Sequence, residues 1–154
     1  MNRHLEIGPV AFSGHRFIRR PCVAALLFGA LVAARPLAAR EMFTGRILDD
    51  VVSSSDPAQH YVLYVPSHYD RTSPWPVIFC FDATAHGRVP VERLQAAAEK
   101  YGYLVAGSLT SRNGPWAANS AAARAMMKDV SAHFSIDSHR VYTAGVSGGA
   151  RVAT

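Results

Sequence analysis

The chain of 154 residues is 49% hydrophobic and 18% charged, a balance typical of one folded globular domain and not of a disordered protein. Its formal net charge of +5 is concentrated at the start, because residues 1–39 hold five arginines and one glutamate, whereas residues 40–154 carry a net charge of +1. The main part of the chain therefore lacks the dense positive charge of a nucleic-acid-binding protein.

Residues 1–39 are predicted to be a secretory signal peptide. Arg19 and Arg20 precede a 13-residue apolar run, residues 22–34, and small residues follow it, which is the arrangement of a cleavable export signal. The run is shorter than the roughly 20 residues that span a bilayer. We therefore expect a periplasmic or extracellular protein without a stable membrane anchor. A short membrane anchor and a buried helix are the alternatives.

Cleavage of the signal is expected after Ala39, with Ala34 as the alternative position. The mature protein would then hold a single cysteine, Cys80, which excludes an intramolecular disulfide. Cys80 lies in the apolar run 77–81, so we expect a buried and unreactive thiol.

Four strands and two helices are predicted in the rest of the sequence. β-branched, aromatic or continuous apolar stretches indicate strands, and apolar residues at helical spacing indicate helices. The predicted strands are 60–66, 77–81, 103–108 and 141–146, the last three of them buried, and the predicted helices are 91–101 and 117–134. Alternating strands and helices predict an α/β fold with a mostly parallel sheet and flanking helices.

The segment Gly145-Val146-Ser147-Gly148-Gly149 is a G-x-S-x-G pattern that directly follows a predicted strand. This context is that of a nucleophile elbow, a sharp turn that presents a serine for attack on a carbonyl carbon. Ser147 is the predicted nucleophile, and the Gly148 N–H is a predicted donor to the oxyanion. A structural glycine turn is the alternative. A phosphate-binding loop is disfavoured because no lysine follows Gly149.

Residues 134–153 resemble the elbow region of secreted α/β hydrolases of the polyhydroxybutyrate-depolymerase and feruloyl-esterase type. Members commonly show I-D-x-x-R-V-Y before G-x-S-x-G-G, which this chain matches at Ile136, Asp137, Arg140, Val141, Tyr142, Gly145, Ser147, Gly148 and Gly149. The runs YVLYVPSHYD and WPVIFCFD are similar to earlier strands of that family, so the resemblance covers residues 60–154. It implies hydrolysis of small-molecule or polymer esters through an acyl-serine, without a metal or an organic cofactor.

The loop after the strand 77–81 departs from the family. Many relatives carry His-Gly at this point, where a backbone N–H supplies the second hydrogen bond to the oxyanion. This chain has Asp82-Ala83-Thr84-Ala85-His86-Gly87 instead. The resemblance therefore implies that the second donor is Ala83 or Thr84.

A catalytic base is not evident in the sequence. In α/β hydrolases the acid and then the histidine follow the serine, yet seven residues follow Ser147. The five histidines after residue 39 all precede Ser147, and His86 alone is expected at the same end of the sheet. We therefore expect residues 40–154 to be the N-terminal half of an α/β-hydrolase domain, truncated after the nucleophile elbow. The alternatives are a non-catalytic truncated or degenerate exported protein and a serine peptidase of the same fold.

Overall fold

A computed structural model describes residues 43–154, so the predicted signal peptide lies outside the described residues. The described part contains five strands and two helices, and a short 3₁₀ turn, Ser147–Gly149, follows the last strand. In chain order the elements are β1 (Ile47–Val52), β2 (His60–Tyr64), β3 (Trp75–Asp82), α1 (Arg88–Tyr101), β4 (Leu104–Ser108), α2 (Trp116–His133) and β5 (Ile136–Val146). None of the helices between residues 43 and 154 is both long and apolar enough to cross a membrane.

All predicted strands and helices are present, and β1 is an additional strand that the sequence analysis missed. β1 has the sequence ILDDVV and lies at one edge of the sheet. Its two aspartates are exposed, and the strand contains no fully buried residue. An edge strand that is largely in contact with water does not need the apolar pattern by which strands are recognised.

The strands form a single sheet in the order β1-β2-β4-β3-β5. β3 pairs in parallel with both β4 and β5, whereas β2 pairs antiparallel with β1 and β4. β1, β3, β4 and β5 thus run in one direction and β2 runs against them, so the sheet is mostly parallel, as predicted, but mixed. The reversal follows from the short loop between β1 and β2, because a parallel connection needs a crossover of about a dozen residues or more.

The two helices pack on opposite faces of this sheet. Alternate residues of the strands form two apolar clusters, one containing Val91 and Ala98 of α1 and the other containing Met126 and Val130 of α2. Cys80 is buried in the cluster beneath α1, and burial raises the pKa of its thiol to about 12. The thiol is therefore protonated and unreactive at neutral pH.

β5 is not the buried strand that its apolar sequence predicted. Val141, Tyr142 and Val146 are 38%, 46% and 62% exposed. Within residues 43–154, β5 pairs with β3 alone, and both helices pack mainly on β2 and β4. The run VYTAGV is typical of a strand covered on both faces, but no described element supplies that cover.

Asp129 is a buried carboxylate that joins α2 to the β1–β2 loop. Its oxygens accept hydrogen bonds from the Tyr61 hydroxyl at 2.5 Å, from the Ser54 N–H at 2.9 Å and from the Ser54 hydroxyl. Burial alone would raise the pKa of Asp129, but these bonds and the neighbouring His133 together lower it below its ordinary value. The carboxylate is therefore ionised and stabilises the contact between helix and loop.

Glu99 has a similar role on the other face, where it joins α1 to the chain that follows β2. It accepts hydrogen bonds from the Ser67 hydroxyl, from the Ser67 N–H at 2.9 Å and from the Tyr64 hydroxyl at 2.5 Å. These bonds, led by that of the Ser67 hydroxyl, lower the pKa of Glu99 to about 2.

Candidate active site

Ser147 has a left-handed backbone conformation, with φ of +53°, directly after the extended end of β5. Residues other than glycine rarely adopt this conformation, which costs roughly 1–2 kcal/mol in an L-residue. The residue is also exposed. A strained, exposed serine between a strand and a helical turn is the backbone geometry that the G-x-S-x-G pattern predicted, and such strain is common at functional sites.

The turn at Ser147 folds back so tightly that two of its neighbours must be glycine. A Cβ atom at Gly145 would overlap the Gly149 carbonyl and lie 2.6 Å from the Ala150 nitrogen. A Cβ atom at Gly149 would overlap the Phe81 carbonyl and lie 2.8 Å from the Asp82 nitrogen. The glycines therefore allow the elbow to pack against the end of β3, where the next loop begins.

The β3–α1 loop lies beside this turn, with Ala83 next to Gly148. A Cβ atom at Gly148 would be 3.6 Å from the Ala83 Cβ. The Thr84 N–H, in contrast, donates to Asp82 Oδ1 at 2.8 Å, and the Thr84 hydroxyl donates to the same oxygen at 2.5 Å. These two bonds are the main causes that lower the pKa of Asp82. Of the two candidate oxyanion donors, Thr84 has its N–H engaged, and Ala83 is the one that lies at the elbow.

A third segment, the β4–α2 loop of residues 109–115, borders the site and was missed by the sequence analysis. The Asn113 N–H donates to the Ala83 carbonyl at 2.7 Å, and its side chain covers Gly148 so closely that a Cβ atom there would lie 2.9 Å from Asn113 Cγ. Thr84 and Arg112 also form an isolated antiparallel bridge. Asn113 therefore contacts both candidate oxyanion elements, although no sequence motif marks it.

The position of the β4–α2 loop is maintained by a buried side chain of α2. Asn119 Oδ1 accepts hydrogen bonds from the Arg112 N–H at 2.9 Å and from the Ser111 hydroxyl at 3.2 Å, while its Nδ2 donates to the Pro115 carbonyl at 3.3 Å. Ser108 Oγ accepts from the Ser111 N–H at 3.0 Å. The loop is thus attached to both β4 and α2. These attachments hold Asn113, which lies in the loop, in its place beside Gly148.

The histidines are distributed as the sequence analysis expected. His86 lies in the β3–α1 loop, with Nδ1 3.0 Å from Thr84 Oγ1. His139 lies in the first part of β5, at the end remote from Ser147, and His133 contacts Asp129. Among residues 43–154, no hydrogen bond joins the Ser147 hydroxyl to an imidazole or a carboxylate. The described residues therefore bring together a candidate nucleophile and candidate oxyanion donors, but not a base.

Metal ligation is also not supported by the described side chains. Between residues 43 and 154, no group of three or more His, Cys, Asp and Glu side chains is placed to bind a metal ion.

The comparisons with known proteins bear on the fold. No family model and no curated protein sequence matches this chain. An acetyl xylan esterase from Aspergillus awamori matches with a TM-score of 0.57 and 22% identity over 70% of this chain and 45% of the esterase. A truncated carbohydrate esterase from gut microbiota matches with a TM-score of 0.57 and 17% identity, covering 72% of this chain and 42% of that protein. A poly(3-hydroxybutyrate) depolymerase from Bordetella parapertussis matches with a TM-score of 0.54 and 17% identity, covering 75% and 47% respectively.

The fold is that of an α/β hydrolase. At these identities the matches show the fold alone, and the chain spans less than half the length of each of these three proteins. The fold predicted from the elbow motif and the family resemblance is thereby confirmed. In the α/β-hydrolase fold, the nucleophile follows a central strand, and one oxyanion donor comes from the loop after an earlier strand. Ser147 and the loop that begins at Ala83 are the candidates that the sequence analysis predicted for these two places.

Proposed function

We propose that this chain supplies the nucleophile and the oxyanion-binding groups of a serine hydrolase that cleaves carboxyl esters. The observation that carries the proposal is the left-handed backbone of Ser147 at the end of β5, with Ala83 and Asn113 packed around Gly148. The names of the matched structures, which include an acetyl xylan esterase and a depolymerase of a polyester, support ester chemistry on small or polymeric substrates.

In the proposed reaction, Ser147 Oγ attacks the ester carbonyl carbon while its proton passes to a base. The carbonyl oxygen becomes an oxyanion that accepts hydrogen bonds from the Gly148 N–H and the Ala83 N–H. The tetrahedral intermediate then expels the alcohol, which takes the proton from the base and leaves an acyl-serine. Attack by water on the acyl group releases the carboxylic acid and restores the serine. These steps require no metal or organic cofactor.

The Asn113 contacts support this assignment of the oxyanion donors. The Asn113 N–H donates to the Ala83 carbonyl at 2.7 Å and so restrains the Ala83–Thr84 peptide group next to the elbow, while the N–H of that group, that of Thr84, is already bonded to Asp82 Oδ1. Donors that are positioned in advance need no reorganisation when charge develops on the substrate, and one such donor is worth about 3–4 kcal/mol of barrier. We therefore assign the second donor to Ala83 and not to Thr84.

We place the base and its acid partner outside residues 43–154. A serine hydroxyl is a weak nucleophile without a base, and none of the described imidazoles is bonded to Ser147. The described residues are accordingly expected to form an acyl-serine slowly and to hydrolyse it slowly.

This expectation leads to a direct test by acyl trapping. The 154-residue chain is incubated with p-nitrophenyl acetate, with and without imidazole as an external base, and the acetylated peptide is located by mass spectrometry. We expect an acetyl group on Ser147 that increases with imidazole and is absent in Ser147→Ala. Ser131, an exposed serine of α2, is the internal control. Acetylation of Ser147 no greater than that of Ser131 would refute the nucleophile and favour a non-catalytic protein.

We further propose that the protein is exported, on the basis of the arginine pair and the apolar run 22–34. The mature protein is then expected to begin at Arg40. N-terminal sequencing of protein recovered from the periplasm or the medium tests this, and soluble cytoplasmic protein that retains Met1 would contradict it.

A further inference from the structure

A small cleft opens beside Gly148, on the side of the elbow that faces the β4–α2 loop. Its walls include Arg112, Asn113 and Trp116 from that loop and the start of α2, together with Arg151 from the turn after the elbow. The enclosed volume is about 10 Å³, which is room for roughly one water-sized group. The cleft can therefore enclose one oxygen atom of a polar group, and the rest of a ligand would lie outside it against the exposed lining side chains.

The charge of this cleft is uniformly positive. The charged side chains that line it are Arg112 and Arg151, both exposed. Within the described part of the chain neither guanidinium belongs to an ion pair, in contrast to Arg88 and Arg140, which both pair with carboxylates. Two cations at one cleft without a counter-charge form a site that attracts anions.

No described acid near the cleft neutralises these arginines. The first turn of α2 contains no acidic residue. Asp82, the acid of the neighbouring β3–α1 loop, forms no ion pair with either arginine, and its Oδ1 accepts from the Thr84 N–H and hydroxyl. The positive charge is thus available to a ligand.

The chemistry of the lining side chains suits a carboxylate attached to a flat group. A guanidinium is a planar fork of donors that matches the two oxygens of a carboxylate. Trp116 is 57% exposed at the same cleft, and its ring offers a flat apolar surface to the part of the ligand outside the cleft.

We propose that Arg112 and Arg151 form a carboxylate-binding subsite next to the nucleophile, so that the preferred substrates are esters that carry a carboxylate close to the scissile bond. As a statement about substrates, this rests on the proposed esterase function. The anion site itself does not, because it needs neither a base nor an acyl-serine.

Benzoate is the probe that tests the subsite in the 154-residue chain. Its binding is followed by NMR through the indole N–H signal of Trp116, assigned with Trp116→Phe. We expect a saturable shift in the wild type and in Ser147→Ala, and a dissociation constant raised at least about tenfold in Arg112→Gln/Arg151→Gln. Benzamide has the same shape without the charge and is expected not to shift the signal.

Arg93→Gln is the matched control, since Arg93 is an exposed arginine of α1 that lines a groove on the other face of the sheet. This variant should bind benzoate as the wild type does. Equal weakening in Arg93→Gln, equal binding of benzamide, or tighter binding of inorganic phosphate than of benzoate would overturn the subsite. If the double variant loses its dispersed NMR spectrum, the single variant Arg151→Gln replaces it.

The two proposals fail separately in these experiments. Benzoate binding without acetylation of Ser147 would refute the esterase function and retain the anion site. Acetylation of Ser147 without benzoate binding would retain the nucleophile and refute the subsite.

Discussion

Gly145 and Gly149 are in direct contact across the Ser147 turn, because a side chain at Gly145 would overlap the Gly149 carbonyl. The turn can adopt this conformation only because neither residue carries a side chain. We expect Gly145→Ala to lower the free energy of unfolding by about 1–3 kcal/mol, the usual cost of overpacking a closely packed position.

Urea denaturation of the 154-residue chain measures this change. Ser131→Ala, on the exposed side of α2, is the control and should alter stability little. A Gly145→Ala protein as stable as the wild type would show that the turn can open without cost, and thus that the elbow is not tightly determined.

Replacement of Ser147 separates backbone strain from side-chain chemistry. Because φ is +53° at this position, Ser147→Gly should be more stable than Ser147→Ala by about 1 kcal/mol. The same pair of substitutions at Ser131 in α2 should have the opposite order, since glycine destabilises a helix by about 1 kcal/mol relative to alanine. Denaturant unfolding of the four variants checks both signs. The same order at both sites would contradict a strained Ser147.

Substitution of Asp129 should lower the free energy of unfolding more than substitution of most other polar residues of the described domain. Asp129→Ala removes the acceptor for the Tyr61 hydroxyl and for both donors of Ser54, so we expect a loss of about 2–4 kcal/mol in unfolding free energy. Asp50→Ala is the comparison, because Asp50 makes an exposed contact of 2.7 Å with His60 that should contribute at most about 1 kcal/mol. Similar losses in the two variants would rule out the special role of Asp129.

The lowered pKa of Glu99 predicts how the stability of the protein should change with pH. Its pKa is about 2 in the folded protein and 4.5 in an ordinary environment, so its ionised form is favoured by folding. The stabilisation is complete above pH 4.5 and is lost as the pH falls from 4.5 towards 2. The difference in stability between wild type and Glu99→Gln should therefore shrink over this interval. Thermal unfolding at several pH values measures it, with Glu92→Gln as the control for the lost charge. A difference that is constant with pH would exclude a depressed pKa.

Among the described histidines, His86 is the best candidate for a base, because it lies in the β3–α1 loop beside the Ser147 turn. Its Nδ1, however, is 3.0 Å from Thr84 Oγ1, which directs this nitrogen towards its own loop. We expect His86→Ala to leave the rate of Ser147 acetylation within about twofold of the wild type. A decrease of about tenfold or more, of the size that a general base contributes, would instead identify His86 as the base.

The elements that the sequence predicted well are those in which local pattern and tertiary environment agree. β3 and β4 are continuous apolar runs because they contribute side chains to both buried clusters, and each helix has apolar residues at helical spacing because it contributes to one cluster. The turn at Ser147 was predicted because the glycines that it requires lie within five consecutive residues and form a recognisable pattern. β1 was missed because an edge strand with exposed aspartates needs no such pattern. β5 was wrongly predicted to be buried, because an apolar sequence alone does not show whether another element covers the strand.

The amino-acid sequence by itself therefore determined the α/β class, the strand that leads to the turn, and Ser147 within it, since these depend on neighbouring residues. Only the tertiary structure supplies the grounds for proposing Ala83 and not Thr84 as the second donor, because these grounds are a hydrogen bond from Thr84 to Asp82 and the packing of Ala83 against Gly148. Only the tertiary structure revealed Asn113, Arg112 and Arg151 as neighbours of the site. They reach it from separate segments, through a sheet order that places β3 between β4 and β5, and no spacing along the chain encodes that order.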